Sequence, residues 1–388
     1  MAILGSTGSI GRSALEVIQR HPRRFRVEAL AANQSLDALA RQVDRYKPRR
    51  AVLATDNGMG STSHLPSADW SVGREPLLEL TQDPDVDVVV NALVGSAGLE
   101  PTLTTLKAGK RLALANKESL VAGGELVMAA VEEGGGDLIP VDSEHSAILQ
   151  CLEGYEMDTV ARMILTASGG PFRGWTREEL AGVRPSQALD HPTWSMGAKI
   201  SIDSATLANK ALEVIEAHFL YGISYDALGV VVHPQSIVHS FVEFVDGSVL
   251  AQLGFPTMEL PILYALSYPE RLEDLPLQTF DPVKASPLVF EEVDEETFTL
   301  FRLGEQAGRA GGTSPAVYNA ANEVAVEAFL REEIGFGQMG GVVEEVLATL
   351  ASRPVENLEM ILETDRDARD MAGRAVDRFR KRNLSRSI

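Results

Sequence analysis

Two carboxylates stand two residues apart near the middle of the chain, in the sequence IPVDSEH of residues 139–145. The apolar residues before them predict a short strand that ends at this point. If the backbone stays extended, Asp142 and Glu144 point the same way, because side chains alternate with a period of two. Two hard oxygen ligands on one side of a strand end suit a divalent cation such as Mg²⁺ or Mn²⁺. The alternative is that Asp142 caps the next helix and Glu144 lies in its first turn.

A second polar group follows an earlier predicted strand, where Asn116, Lys117 and Glu118 come directly after residues 112–115. In an open parallel sheet, ligands bind at the carboxyl ends of the strands. An amide, an ammonium and a carboxylate at such an end favour a role in binding. The alternative is that Lys117 and Glu118 are ordinary exposed charges.

A third candidate group lies in SIDSATLANKALE, residues 201–213. Asp203 or Ser204 is predicted to be the N-cap of a strong helix. One face of this helix would be apolar, and the other would carry Thr206, Asn209, Lys210 and Glu213. With a cap hydroxyl at its positive end, the polar face suits a phosphate, with Glu213 beside it as a metal ligand. The alternative is that Lys210 and Glu213 form a surface ion pair.

The predicted strand over residues 160–167 ends in SGGPF. Ser168 and the two glycines after it can present hydroxyl and N–H groups to an anion. The following stretch, residues 173–199, has few strand signals and carries His191, Trp194 and Met196. We interpret it as a mobile flap, since such lids exclude water from a closed site. The alternative is that Trp194 and Met196 are core residues.

The elements that must position these groups begin with short apolar runs that alternate with helix-like segments over residues 1–141. This spacing predicts a doubly wound parallel sheet. Its first turn, GSTGSIG at residues 5–11, lies between the first strand and the first helix. Glycines there allow close backbone approach, and the free N–H groups of the helix start suit a pyrophosphate. The sequence NALVGSAG, residues 91–98, is small enough to lie along the same cofactor.

The end of the second predicted strand bears on the choice of dinucleotide. A carboxylate that would hold the ribose of NAD is missing, and the sequence reads Asn33-Gln34-Ser35. Neutral donors at this place are compatible with a 2′-phosphate, so NADPH is favoured over NADH. A plain polar loop is the alternative.

In the second half, residues 229–233, 236–244 and 248–253 are predicted strands with a hairpin turn at Asp246-Gly247. They would form a second sheet and a candidate surface for dimerisation. The segment that follows is rich in proline and acidic residues, which predicts a linker. The patterns after it are typical of helices. We therefore expect an NADPH-binding Rossmann-like domain at 1–141, a central α+β catalytic domain at 142–267 with a lid at 170–199, a linker at 268–290, and a C-terminal α-helical bundle at 291–388.

Composition excludes several classes of protein. With 45% hydrophobic and 23% charged residues, the 388-residue chain has the make-up of an ordinary globular protein. Its formal net charge of −20 argues against a general nucleic-acid or anionic-membrane surface. No apolar run has the length of a membrane span. A single cysteine, Cys151, excludes a disulfide within the chain and fits a reducing cytoplasm.

Taken together, these motifs resemble the 1-deoxy-D-xylulose-5-phosphate reductoisomerase family. They occur in the family's order and span nearly the whole chain. The motifs that carry the resemblance are GSTGSIG (5–11), LANKESL (114–120), PVDSEH (140–145), SGGPF (168–172), HPTWSMG (191–197), KISIDSATLANKALE (199–213), HPQS (233–236), DGSVLAQLG (246–254) and NAANE (319–323).

The resemblance implies an NADPH- and metal-dependent isomerisation and reduction of 1-deoxy-D-xylulose 5-phosphate to 2-C-methyl-D-erythritol 4-phosphate, a step of non-mevalonate isoprenoid biosynthesis. It also implies a homodimer. The rival interpretations are another metal-assisted NADP-dependent sugar-phosphate dehydrogenase and a non-catalytic nucleotide-sensing protein.

The resemblance also implies roles for individual residues. The ligands of Mg²⁺, Mn²⁺ or Co²⁺ would be Asp142, Glu144 and Glu213, which with Lys117 and His191 form the catalytic set. The phosphate would be held by Ser168, Ser204, Asn209 and Lys210. The sugar would contact Lys117, Ser143, Glu144 and His191, with Trp194 and Met196 on the closing lid. NADPH would contact Thr7, Gly8, Ser9, Ile10, Asn116, Glu118 and Gly197. The NADPH site would also include Asn33, Gln34 and Ser35, where members of the family often carry Gly, Lys and Asn.

Overall fold

The computed structural model describes residues 1–55, 65–194 and 196–386, with side chains as far as residue 383. The chain forms two compact units. The first comprises Met1–Ser119, Leu126–Ser146 and Thr257–Thr279, and the second Leu120–Glu125, Ala147–Pro256 and Phe280–Ile388. Within the described residues, no helix combines the length and the apolar character that a membrane crossing needs.

The strands, in chain order, are β1 Ala2–Leu4, β2 Ala29–Ala32, β3 Arg50–Leu53, β4 Asp69–Val72, β5 Val88–Asn91, β6 Arg111–Leu114, β7 Leu138–Pro140, β8 Val160–Ala167, β9 Leu228–Val232, β10 Val238–Phe244 and β11 Val249–Leu253. The helices are α1 Ser9–Arg20, α2 Leu36–Tyr46, α3 Arg74–Gln82, α4 Leu99–Lys107, α5 Lys117–Gly134, α6 Ser143–Cys151, α7 Arg177–Leu180, α8 Pro185–Ala188, α9 Ala198–Ala205, α10 Ala208–Tyr221, α11 Glu259–Ser267, α12 Thr299–Ala310, α13 Ser314–Leu330, α14 Gln338–Thr349 and α15 Leu358–Arg386.

The first unit is built on a seven-stranded sheet in the order β4-β3-β2-β1-β5-β6-β7. Every neighbouring pair is parallel, so the predicted doubly wound sheet is confirmed. Its central strands are apolar and buried, as expected for strands covered on both faces. The strand order reverses between β1 and β5, and in such sheets the crevice at the carboxyl ends of those strands binds ligands. The edge strand β4, which is partly exposed, was not predicted.

The chain returns to the first unit late in the sequence, where α11 packs against α1. Arg20 at the end of α1 bonds to Glu259 at 2.6 Å and to Asp274 at 2.8 Å. Asp274 is buried and also contacts His21 at 3.1 Å. These ion pairs attach residues 257–279 to the sheet that carries α1.

The second unit contains a four-stranded sheet in the order β11-β10-β8-β9. The pair β8–β9 is parallel, and the other two pairs are antiparallel. The hairpin turn predicted at Asp246-Gly247 is confirmed: Gly247 has φ 85°, and its N–H donates to the carbonyl of Phe244. Beside the sheet, α9, α10 and α12 to α15 share one apolar core. A close crossing of α10 and α12 depends on Gly304, because a Cβ there would lie 2.5 Å from that of Ala211.

The predicted N-cap at Asp203 or Ser204 is wrong. Both residues lie inside α9, which begins at Ala198, and the next helix starts only after Leu207, whose φ is +58°. The physical reason is tertiary, since the Asp203 carboxylate is buried and receives Lys199 from the same helix and Asn322 from α13, each at 2.8 Å. A carboxylate bound in this way does not cap a helix.

Candidate active site

The glycine turn after β1 is shaped for close backbone contact. Gly5 has φ +81°, and a Cβ there would lie 2.4 Å from the carbonyl oxygen of Ala92. A Cβ on Gly11 would lie 2.4 Å from the carbonyl oxygen of Gly5. Gly8 precedes α1, and no side chain caps this helix. The N–H groups at the helix start are therefore not capped by a side chain, and their use by an anion stays a prediction.

At the end of β2, Asn33, Gln34 and Ser35 are exposed. The side chain of Asn33 accepts a hydrogen bond from Thr55 at 2.8 Å. Ser35 precedes α2 without a capping bond from its side chain. The loop thus presents neutral polar groups, and their contact with NADPH stays a prediction.

Asn116 lies between β6 and α5 and caps this helix by accepting the N–H of Ser119 at 2.9 Å. Its amide donates to the carbonyls of Leu93 and Gly95, each at 2.9 Å. The neighbouring Lys117 and Glu118 are both buried. The interpretation of these two residues as ordinary exposed charges is therefore wrong.

Asp142 and Glu144 lie at the start of α6, directly after β7. The Asp142 carboxylate accepts the N–H of Glu144 at 3.2 Å, so the backbone is not extended here, and the alternative of Asp142 as helix cap with Glu144 in the first turn is confirmed. One carboxylate oxygen of each nevertheless lies within 4.8 Å of the other. Lys117 bonds to Asp142 at 2.9 Å, and the Ser143 hydroxyl donates to Glu144. At the start of α6, Asp142 therefore caps the backbone, and the carboxylates of Asp142 and Glu144 lie together beside the ammonium of Lys117.

In the second unit, Ser168 after β8 contacts His191 of the flap, with 2.9 Å between Oγ and Nε2. The Nδ1 atom of His191 faces the N–H groups of Thr193 and Trp194 at 3.1 and 3.0 Å. Because Nδ1 accepts these bonds, the proton of the neutral ring lies on Nε2 and is donated to Ser168. Burial lowers the pKa of His191 below its ordinary value of 6.5, which favours this neutral form.

The rest of the flap contains two short helices, α7 and α8, joined by irregular backbone. Trp194 and Met196 are partly buried, whereas Ser195 lies outside the described residues. Gly197 is exposed and extended, and it precedes α9. Closure of this segment over a ligand stays a prediction.

Three predicted site residues cluster in the first two turns of α10. The amide of Asn209 and the ammonium of Lys210 both donate to the Glu213 carboxylate. Lys210 is 3% exposed and Glu213 is 1% exposed, so the alternative of a surface ion pair is wrong. Ser204 lies partly buried in the last turn of α9. Buried charges of this kind are uncommon away from functional sites.

Sequence reasoning missed a set of buried polar residues beside the predicted cofactor loops. Asn91, the last residue of β5, is fully buried, as are Thr102 in α4 and Ser119 in α5. The available signal was the polar residue that ends the otherwise apolar strand VVVN.

Comparison with known proteins identifies the family. The family model described as 1-deoxy-D-xylulose 5-phosphate reductoisomerase matches residues 1–124, and models of reductoisomerase C-terminal domains match residues 138–221 and 253–371. A curated 1-deoxy-D-xylulose 5-phosphate reductoisomerase from Chlorobium chlorochromatii is 51% identical over 376 residues, which cover 96% of this chain and 98% of that protein. The chain belongs to the 1-deoxy-D-xylulose 5-phosphate reductoisomerase family.

Solved reductoisomerase structures are also similar. The enzyme from Zymomonas mobilis in complex with NADPH is 42% identical with a TM-score of 0.89, and the match covers 97% of this chain and 98% of that one. A reductoisomerase in complex with NADPH, fosmidomycin and magnesium is 39% identical with a TM-score of 0.90 at the same coverage. The match to the family therefore extends over nearly the whole fold.

Proposed function

We propose that this reductoisomerase converts 1-deoxy-D-xylulose 5-phosphate to 2-C-methyl-D-erythritol 4-phosphate with NADPH and a divalent cation, as a step of non-mevalonate isoprenoid biosynthesis. The observation that carries the proposal is the buried pair of Lys210 and Glu213 in α10, to which the partly buried Asn209 donates. Desolvating an ammonium and a carboxylate is costly, and active sites are where proteins tolerate that cost. The similarity to reductoisomerases over 96% of the chain supports the same conclusion.

The glycine turn fits the dinucleotide. Its backbone is packed so tightly at Gly5 and Gly11 that side chains are excluded, and the start of α1 has no side-chain cap. The pyrophosphate would accept N–H bonds from Ser9 and Ile10, with Thr7 and Gly8 beside them; the N–H of Gly8 itself donates to the carbonyl of Gly5. Asn116, Glu118 and Gly197, together with Asn33, Gln34 and Ser35, would contact the remainder of NADPH.

The carboxylates fit a hard divalent cation. Asp142 and Glu144 offer adjacent oxygens, and we propose that Glu213 completes the ligand set for Mg²⁺, Mn²⁺ or Co²⁺. When bound, the cation polarises the ketone and stabilises the developing oxyanion, and NADPH supplies the hydride. Lys117, bonded to Asp142, would orient this carboxylate and contact the sugar together with Ser143.

The phosphate of the substrate would be held in the second unit. Because Ser168 accepts the Nε2 proton of neutral His191, its own hydroxyl proton is left to donate to a phosphate oxygen. The hydroxyl of Ser204, the amide of Asn209 and the ammonium of Lys210 would supply the remaining donors. Binding energy from this remote group would hold the reacting carbons in place, with Trp194 and Met196 excluding water.

We also propose that the protein is a cytoplasmic homodimer. A single, buried cysteine suits a reducing compartment. Apolar side chains are exposed along β11 and over residues 280–290, and a surface of this kind is usually covered by a partner. The exposed residues that support a second copy as this partner are Val249, Leu250, Leu253, Phe280, Val283, Leu288, Val289 and Phe290. Sedimentation of the purified protein over a range of concentrations tests the dimer.

The proposed reaction is tested by following NADPH oxidation with 1-deoxy-D-xylulose 5-phosphate, with and without a chelator. We expect oxidation that stops on chelation and returns with added Mg²⁺ or Mn²⁺, and a branched polyol phosphate as product. An unbranched product would identify a different sugar-phosphate dehydrogenase. No oxidation with any of these metals would refute the proposed activity.

A further inference from the structure

A chain of buried polar side chains connects the carboxyl ends of β5 and β6 in the first unit. The amide of Asn91 donates to the Thr102 hydroxyl at 2.9 Å. Thr102 donates to the hydroxyl of Ser119 at 3.2 Å, and both the hydroxyl and the N–H of Ser119 donate to Asn116. None of these four residues is more than 1% exposed. Each bond is therefore shielded from water, and each lost partner leaves a buried polar group unpaired.

The two asparagines at the ends of this chain hold the same loop, residues 93–98. Asn91 donates to the carbonyl of Gly98 at 2.9 Å and accepts the N–H of Leu93 at 3.3 Å. Asn116 donates to the carbonyls of Leu93 and Gly95. A Cβ on Gly98 would lie 2.4 Å from Cγ of Asn116, so the loop is seated directly on that side chain. Together the loop and the four polar side chains close a ring.

This ring stands at the point where the strand order reverses. The N–H of Ala92 donates to the carbonyl of Leu4 at 2.9 Å, next to the glycine turn. The loop therefore borders the crevice in which such sheets bind dinucleotides. Its Val94 side chain is 73% exposed.

We propose that Asn91, Thr102 and Ser119 are positioning residues for the dinucleotide. Resting on the proposed use of NADPH, the inference is that the ring fixes the loop in its binding geometry before the cofactor arrives. None of the three needs to touch the cofactor, because they act through the backbone of residues 93–98 and through Asn116. Preorganisation of this kind lowers the ordering cost of binding, so its loss weakens affinity.

The test uses Thr102→Val, which keeps the shape of the side chain and removes the hydroxyl shared by Asn91 and Ser119. Thr105→Val is the matched control. Thr105 is equally buried in the same helix, but its hydroxyl donates to the carbonyl of Pro101 within α4. NADPH affinity is measured by fluorescence titration of the full chain, thermal denaturation is followed in parallel, and KM is determined for each substrate.

Thr102→Val loses two hydrogen bonds of the ring. We expect it to raise the Kd and the KM for NADPH by about tenfold, because part of that loss falls on the ordering of the loop when the cofactor binds. The KM for the sugar phosphate should be unchanged, and Thr102→Ser should restore the affinity. Thr105→Val should change the Kd by less than about twofold, even if its melting temperature falls as far as that of Thr102→Val. If Thr102→Val does not fold, Ser119→Ala tests the same bond from the other side and should give the same loss.

Wild-type affinity in Thr102→Val or Ser119→Ala would overturn the inference, as would equal losses in Thr102→Val and Thr105→Val. These outcomes differ from a failure of the proposed function, in which the wild-type chain itself would neither bind nor oxidise NADPH. In that case the inference fails with it.

Discussion

Replacing Gly8 by alanine should weaken the binding of the pyrophosphate without destabilising the turn. Gly8 has φ −71° and ψ 175°, which any residue adopts. A Cβ there would lie 3.3 Å from the carbonyl oxygen of Gly5, so a shift of a few tenths of an ångström accommodates it. The added methyl group would however stand at the exposed start of α1, where the anion must approach the backbone.

The expected magnitude follows from the bonds that are lost. A hydrogen bond to a charged group is worth about 1.5–3 kcal/mol, so losing one raises the Kd for NADPH about 10- to 150-fold. The melting temperature should stay close to that of the wild type. Gly11→Ala differs, because its Cβ would lie 2.4 Å from Gly5 O and 2.5 Å from Ser6 Cα. Backbone atoms give way less easily than side chains, so both stability and affinity should fall.

Fluorescence titration with NADPH and thermal denaturation, applied to both variants, check these expectations. Gly373→Ala is the matched control, because no atom other than those of the neighbouring residues and the backbone of α15 itself lies within 4 Å of a Cβ at that position. This substitution should stabilise the fold by about 0.5–1 kcal/mol and leave the Kd unchanged. If Gly8→Ala binds NADPH as tightly as the wild type, the turn does not hold the pyrophosphate and the reasoning is refuted.

Three further predictions address the second unit. Glu213→Gln keeps the shape of a buried side chain but removes its charge, so the Mg²⁺ concentration for half-maximal turnover should rise at least about tenfold with no change in the Kd for NADPH; an unaltered response to metal would exclude Glu213 as a ligand. Because burial lowers the pKa of His191 below 6.5, its contribution to stability should be complete above that pH. It should fall as the pH drops below 6.5 and level off below the lowered pKa, and His191→Asn should lose this dependence when thermal denaturation is measured from pH 5 to 8. Gly304→Ala would force Cβ atoms of α10 and α12 to within 2.5 Å, so the free energy of unfolding in urea should fall by about 1–3 kcal/mol, and no loss would contradict the tight crossing.

The sequence alone was sufficient wherever structure and chemistry are local. The apolar runs of the first unit correspond to buried parallel strands, and the glycine turn lies between β1 and α1 as its motif predicts. The apolar runs predict the strands because a strand buried on both faces must be apolar. The glycines predict the turn because a phosphate-binding turn needs small residues. The order of motifs was likewise enough to indicate the family. The edge strand β4 was missed because its exposed face leaves little apolar signal.

Only the tertiary structure decided which polar side chains are buried and which partners they bond to. The same local pattern allows Asp203 to cap a helix or to accept bonds from Lys199 and Asn322, and packing against α13 selects the second. Lys210 and Glu213 have the spacing of a surface ion pair, yet both are buried. The cost of desolvating these two charges is one that proteins tolerate in active sites. Thr102 in the helix after β5 and Ser119 in the helix after β6 meet because these two strands pair. Burial and partnership of polar groups depend on residues distant in sequence, and therefore no local pattern could specify them.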